Sequence, residues 1–467
     1  MMIRTPRSSR AVFRRFIAAA LVLAAAWPLA AEAAKKRKAA PRAPAHKADP
    51  LKIPNAAMDL LTWDSVEGWR ADFHSEALGA FLVSCRPILQ GGKARHNGHA
   101  LLGALHDVCG RAIAALPLDD TGARTFFEKN FRPVRLAPVG ERDGFFTGYY
   151  EPIVDGARYP SDVYTTPLYR RPPGLLVSRL RHTKAKGKFG KRVVKRTGAY
   201  YDRTQIEDGA IAGRGLEIVY LKDPVDAFFA QIQGSVRVRL ENGAIIRLNY
   251  DAQNGHPYTA VGRFLIERGI YTREEISMQK IREWMEANPE EGRALRRENK
   301  SYVFFRETDL DHHEDPPGAQ GVALTPGRSI AVDRKLHTYG MLFFIDALLP
   351  IASEKPDTPF RRLMVAQDTG GAIVGPARAD IYLGAGEEAA RAAGRFKQFG
   401  QFVMLVPNEL DPGRLQKQVP LPLPRPASLQ SARAPESEKP APVAVAAADP
   451  SASAGVPLPK ARPSRKR

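Results

Sequence analysis

LMVAQDTGGAIVGPARADIYLGAG (Leu363 to Gly386) reads as a strand, a tight turn and a second strand. Apolar Leu363 and Val365 lead into Asp368-Thr369-Gly370-Gly371, whose glycines suit a sharp reversal. Ala379 to Leu383 then alternates, with Asp380 and Tyr382 on one face and Ile381 and Leu383 on the other. A carboxylate in an apolar strand is costly unless it is paired or used. If Asp380 projects into a cleft, desolvation raises its pKa and makes it a competent general acid. The alternative is that Asp380 pairs with Arg378 or Arg391 while Asp368 makes an Asx-turn.

The surrounding segment, Gly321 to Pro407, carries short strand patterns punctuated by Gly and Pro, which predicts a small barrel. Strand signals also run from Thr147 to Tyr258. The clearest is Ser235 to Tyr250, where Val236, Val238 and Leu240 alternate with Arg237 and Arg239. Asn242-Gly243 then predicts a type I′ turn, and Ala244, Ile246, Leu248 and Tyr250 alternate again. Just before it, AQIQGSVRV (Ala230 to Val238) reads as a strand with Gln231, Gln233 and Ser235 on one face, suited to a neutral polar ligand or to solvent. GFFTGYYEP (Gly144 to Pro152) sets phenyl rings and phenols beside a Thr hydroxyl and a carboxylate. That mixture suits the apolar faces and hydroxylated rim of a sugar, and equally a strand that buries Phe145 and Tyr149.

Helical periodicity dominates Asp64 to about Pro133, with no evident chemistry, and returns over Tyr271 to Arg297. There Thr272 and Glu275 form a capping box, and Asn288-Pro289 opens a further helix. Cys85 and Cys109 are the whole thiol inventory, each on the apolar stripe of its helix. They form either one disulfide closing a loop of about 24 residues, worth about 3 kcal/mol, or two buried thiols. His312-His313-Glu314-Asp315 invites a metal reading, but adjacent His side chains in a Pro-flanked acidic stretch fit a solvated loop better.

The ends of the chain set the compartment. Five Arg precede an apolar run from Phe16 to Ala30 and the small-x-small pattern Ala31-Glu32-Ala33, so residues 1–34 read as an export signal. No Cys lies near that site, and a lipid-modified N-terminus is not expected. Lys and Arg number 70 against 50 Asp and Glu, a net charge of +20. Much of the excess sits in two Pro/Ala-rich segments: residues 35–50 carry six basic side chains against one acid, and residues 409–467 carry ten against five. Such composition cannot bury enough apolar area to offset ordering entropy, so both read as disordered tethers. A polycation of this kind fits an anionic membrane or wall polymer. Nucleic acid is excluded by export and by the lack of a recognition motif. At roughly 100–200 residues per domain, 467 residues hold two or three domains.

Six ordered motifs, GFFTGYYEP, AQIQGSVRV, NGHPYTAVGRFLIERG (Asn254 to Gly269), SMQKIREWM (Ser277 to Met285), NKSYVFF (Asn299 to Phe305) and the opening stretch, together resemble the membrane-bound lytic murein transglycosylase A (MltA) family over about Gly144 to Val406. The resemblance implies a double-psi β-barrel domain with a second β-barrel inserted at about 155–255, so the chain is expected to be mainly β with helical segments; the N-terminal helical extension at 51–135, read from the periodicity, has no counterpart in that family pattern. The family-like region then spans 136–318, and the C-terminal three-aspartate (3D) portion spans 319–408, its name denoting Asp333, Asp368 and Asp380. It implies Asp380 as the single catalytic acid and Asp368 as a supporting carboxylate, with Gln233 and Tyr382 orienting and Thr147, Tyr149, Gln231, Ser235, Gly370 and Gly371 contacting sugar. The implied activity is an exo-type lytic cleavage between N-acetylmuramic acid and N-acetylglucosamine in peptidoglycan, leaving 1,6-anhydromuramoyl ends. No metal or cofactor is required. A monomer in the periplasm, near the outer membrane or wall, is expected. A non-catalytic wall-binding module and a hydrolytic muramidase are the rival readings.

Overall fold

The structure is a computed structural model that describes residues 51–91, 100–173, 175, 200–309, 314–351 and 355–411. The expected export signal, the 35–50 linker, most of the C-terminal tail, His312 and His313 lie outside the described residues.

Along the chain the elements are β1 (Ala56–Leu60), α1 (His74–Gln90), α2 (Ala100–Ala114), α3 (Asp120–Asn130), β2 (Phe131–Pro138), β3 (Gly144–Glu151), β4 (Ile153–Ala157) and β5 (Thr166–Tyr169). There follow α4 (Arg203–Glu207), β6 (Glu217–Leu221), α5 (Pro224–Gln233), β7 (Ser235–Leu240), β8 (Ile245–Gln253), α6 (Gly262–Glu267), α7 (Met278–Ala287), α8 (Pro289–Glu298) and β9 (Val303–Thr308). The last are β10 (Ser329–Val332), β11 (Leu342–Leu349), β12 (Thr358–Asp368), β13 (Arg378–Ala385), α9 (Gly386–Arg395) and β14 (Lys397–Pro407).

Six strands in the order β14-β11-β12-β10-β13-β3 form a barrel that closes where β3 pairs back onto β14, and β2 and β1 extend it from β14. Closure removes the free edges that an open sheet would expose. Its interior and the helices packed outside share one core, with Phe81, Phe127, Phe343, Leu363 and Met404 fully or almost fully buried. Cys85 on α1 and Cys109 on α2 are joined as a disulfide with Cα atoms 5.3 Å apart, which settles the choice left open by the sequence.

A second six-stranded sheet, β5-β6-β4-β7-β8-β9, has its own core of Leu168, Val219, Val236, Val238, Leu248 and Phe305. A bridge between Arg170 and Phe305 joins its edges. The two sheets share one piece of chain, because β3 of the barrel passes through Pro152 directly into β4. Gly148 permits this course: a Cβ there would sit 3.0 Å from the Ala393 Cα of α9, which packs against β3.

Four sequence readings change. Ala230 to Gly234 is not a strand: Gln231 and Gln233 lie in the last turn of α5, which ends at Gly234 with φ of +84°, and only from Ser235 does the chain become β7. On a helix, residues two apart point to different sides, so the proposed polar face does not exist. The β7–β8 hairpin forms as read, but only Gly243 has positive φ. Its turn is therefore a three-residue loop with Gly243 in the left-handed position rather than type I′. Thr272 and Glu275 make their reciprocal hydrogen bonds, yet the helix proper starts later, at Met278, capped by Ser277. The C-terminal tail does not begin at 409, since Glu409 pairs with Arg111 and Leu410 is buried.

Candidate active site

The barrel brings together residues more than 200 positions apart. β13 pairs in parallel with β3, so that Asp380 lies opposite Thr147 and Tyr382 opposite Tyr149. Alternation then places Arg378, Asp380 and Tyr382 on the same face as Phe145, Thr147 and Tyr149. On β3 the other set, Phe146 and Tyr150, is buried, which corrects the reading that Phe145 and Tyr149 are simply core: both are only half-buried.

Asp380 is half-buried. Thr147 Oγ1 donates to its Oδ1 at 2.5 Å, and Thr147 in turn accepts from Arg378 Nη2 at 2.6 Å. Arg378 therefore acts on Asp380 through the threonine and makes no ion pair with it, while Arg391 pairs with Glu387 on α9. Both pairings considered from the sequence are absent. Burial pushes the Asp380 carboxyl above its ordinary range, opposed by the Arg378 charge and the Thr147 hydrogen bond.

Asp368 ends β12 and is held differently. Its Oδ2 accepts from Tyr149 Oη at 2.9 Å, and its Oδ1 accepts from the backbone N–H groups of Ala319 and Thr369 at 2.9 and 2.8 Å. Burial raises this carboxyl too, with the Asp380 charge adding to the rise and the three donors opposing it. Tyr149 has its own ionisation pushed well up by burial and by the two acids, so it stays a neutral donor. Asp333, the third aspartate, is buried and accepts from the N–H groups of Lys335 and Gly375. It fixes the loop between β12 and β13.

The other predicted contacts divide. Gly370 and Gly371 are exposed beside the acids, and a Cβ on Gly371 would touch Tyr258 at 3.6 Å. Tyr382 is wholly buried and donates to Asp315 at 2.9 Å, so it supports the sheet instead of meeting a ligand. Gln231 is buried against Arg203, and Ser235 is buried at the start of β7. Gln233 accepts from Tyr150 N–H at 3.0 Å and so ties α5 to β3. Of the predicted site residues, the structure gathers Asp368, Asp380, Thr147, Tyr149, Gly370 and Gly371, and leaves out Gln231, Gln233, Ser235 and Tyr382.

Sequence reasoning gave Tyr258 no role and gave Arg378, Asp315 and Glu151 roles other than those the structure shows. Tyr258 is half-buried, and burial raises its ionisation, opposed by the Arg203 charge and reinforced by that of Asp380. Arg378 holds Thr147. Asp315, read as part of a solvated loop, is the acceptor for Tyr382. Glu151 is fully buried at the end of β3, where Arg237 of β7 donates at 2.6 Å and Arg247 of β8 pairs at 2.9 Å. That carboxylate links the barrel to the second sheet immediately beyond the site. Burial raises its pKa and the two guanidinium groups oppose the rise.

Among the described residues no group of three or more His, Cys, Asp or Glu is placed to hold a metal. Cavities of about 60 and 340 Å³ lie elsewhere, the first against Leu51 and Met404 and the second against Arg170, Asp251 and Arg306.

Residues 145–306 match the model of the MltA specific insert domain, and residues 328–406 match the 3D domain. The membrane-bound lytic murein transglycosylase A of Vibrio cholerae is 31% identical over 267 residues, covering 56% of this chain and 66% of that protein. The chain thus spans just under two thirds of the length of that curated relative. Among solved structures, a membrane-bound lytic murein transglycosylase from Agrobacterium tumefaciens is 36% identical, with 75% of this chain and 98% of that chain covered at a TM-score of 0.64. The structure of Escherichia coli MltA with bound chitohexaose is 25% identical, covering 76% of this chain and 93% of that chain at a TM-score of 0.54.

Proposed function

Since the chain belongs to the MltA family and carries its 3D domain, we propose that it cleaves the β-1,4 bond between N-acetylmuramic acid and N-acetylglucosamine in peptidoglycan, without water, using Asp380 alone as acid and base. The observation that carries this reading is the unequal treatment of the two aspartates. Asp368 accepts from three donors, spread over both of its oxygens. Asp380 accepts from one side chain among the described residues, and its Oδ2 takes no hydrogen bond from them. Hydrolytic glycosidases usually need two working carboxyls, one to protonate the leaving oxygen and one to activate water or attack C1. Here one is available.

The reaction follows from that count. Protonated Asp380 gives its proton to the glycosidic oxygen as the C1–O bond breaks and C1 becomes oxocarbenium-like. The resulting carboxylate takes the proton of the muramoyl 6-hydroxyl, whose oxygen bonds to C1 and closes a 1,6-anhydro ring. Asp380 ends protonated, and atoms balance with no water added. An internal hydroxyl already in reach replaces the base that a hydrolase would use to recruit water. The raised Asp380 carboxyl keeps the proton-bearing form populated. Thr147 and Arg378 hold its orientation, and Tyr149 with Asp368 supports the neighbouring wall.

The finer features belong to this same reading: a double-psi topology for the closed barrel, residues 51–135 as an addition to the family fold, exo-type cutting, action as a monomer in the periplasm near the outer membrane, and retention on anionic lipid or wall polymer by the basic tails. The bound chitohexaose of the Escherichia coli structure supports a glycan ligand, and the name of the Vibrio cholerae protein supports an envelope location. Mass spectrometry of murein digested by the full chain tests the chemistry. Anhydro ends, one water lighter than reducing ends, are expected; reducing ends alone would identify a hydrolase.

A further inference from the structure

Phe399 on β14 is 63% exposed, although the same strand buries Phe402, Val403, Met404 and Leu405. It is not an isolated surface ring. In the antiparallel β3–β14 pair it lies opposite Phe145, with ring centroids 5.0 Å apart and planes at 44°. On the other side of Phe145, the Arg378 guanidinium stands 5.0 Å over the ring. The core pair on the opposite face is Phe146 with Phe402, so Phe145 and Phe399 are not needed to fill the barrel.

Three adjacent strands therefore present a row of Arg378, Phe145 and Phe399, beside a row of Asp380 and Thr147. Phe145 precedes Thr147 by two residues on an extended strand, a separation of about 6.6 Å. That is close to the length of one pyranose in an extended β-1,4 chain. Pyranose faces carry axial C–H groups that stack on aromatic rings, and their rims carry hydroxyls that accept from a guanidinium. We infer that Phe145 and Phe399, flanked by Arg378, form a stacking subsite for the sugar next to the one whose linkage Asp380 cleaves. This rests on the proposed glycan-cleaving function and deepens it. The occupant is a pyranose of the same strand because the rings are continuous with the acid through Arg378 and Thr147, not a detached apolar patch.

The test titrates chitohexaose, a neutral β-1,4 chain, into the full-length D380N protein and into D380N/F399A and D380N/F399Y, by calorimetry. Phe399 is exposed, so its replacement leaves the fold intact, which melting temperature checks. The expected result is affinity weakened by up to roughly tenfold in D380N/F399A and restored in D380N/F399Y. In parallel, F399A on murein should raise KM with kcat little changed. Equal affinity of D380N and D380N/F399A overturns the subsite, as does failure of D380N to bind the chain at all. The cleavage reading is judged separately by the wild-type digest: anhydro ends with an F399A binding constant equal to that of its parent would refute only the subsite. A wild-type protein that yields no anhydro ends, yet loses binding through F399A, would refute only the cleavage reading.

Discussion

Replacing Thr147 by Val keeps the shape of the side chain and removes two interactions, the 2.5 Å donation to Asp380 and the 2.6 Å acceptance from Arg378. A hydrogen bond to a charged group contributes about 1.5–3 kcal/mol, and the lower end applies here because Asp380 stays in partial contact with water. At 1.36 kcal/mol per pH unit, loss of about 1.5 kcal/mol raises the Asp380 pKa by roughly one unit. The direction is fixed: the threonine favours the ionised form, so its removal favours the protonated form. Because cleavage begins from protonated Asp380, the alkaline limb of kcat/KM should move up by roughly one pH unit in T147V. The maximal rate should fall, since the carboxyl is no longer oriented and Arg378 loses its acceptor. The assay is release of soluble fragments from purified murein across pH, with wild type and T147V compared at matched ionic strength. A limb that stays in place, or moves to lower pH, would refute the assignment of Thr147 as the partner that tunes the acid.

Glu151→Gln leaves two buried guanidinium groups facing a neutral amide, and urea unfolding should show a loss of about 3 kcal/mol. An unchanged midpoint would mean that the link between barrel and second sheet is not energetically significant. Reduction of the Cys85–Cys109 disulfide, or its replacement by two serines, should cost up to about 3 kcal/mol in a melting experiment and leave kcat/KM near wild type, because α1 and α2 pack outside the barrel. Asp380 has a raised folded pKa, so the folded chain binds its proton more tightly than the unfolded chain does. Stability from this group is therefore present below the unfolded carboxyl pKa and is lost as pH rises through the folded one. D380N should remove that decline, and an unfolding free energy with the same pH slope in D380N and wild type would count against burial as the cause.

What the sequence disclosed depended on how local the signal was. The β7–β8 hairpin was legible because Val, Arg and Ile alternate over sixteen positions around a glycine turn, β12 because the apolar Leu363 to Ala366 runs into Asp368 and a Gly-Gly turn, and β13 because Asp380 alternates with apolar neighbours. The end of α5 was misread because Gln231-Ile232-Gln233 is too short to separate a period of 2 from one of 3.6. The Asp223-Pro224 start and the Gly234 stop were the available signals. α9 was missed although Glu387 and Glu388 and a run of Ala follow Gly386. Nothing local could have placed Asp380 opposite Thr147 across 233 residues, or shown that Tyr382, on the same strand face, is sealed against Asp315 while Asp380 remains accessible. Those outcomes are set by the closure of the barrel. For the same reason, Glu151 reads in the sequence as one more acid after an aromatic strand, and becomes a fixed point only when β7 and β8 bring Arg237 and Arg247 to it.

The account stands on Asp380 working without a second catalytic carboxyl. Release of soluble muropeptides from purified murein by wild type, D380N and D368N, each first matched for melting behaviour, tests it directly. Loss of about 10²–10⁴-fold in D380N with a smaller loss in D368N is the expected result. Wall lysis by D380N at the wild-type rate, or loss in D368N equal to that in D380N together with reducing ends among the wild-type products, would contradict it.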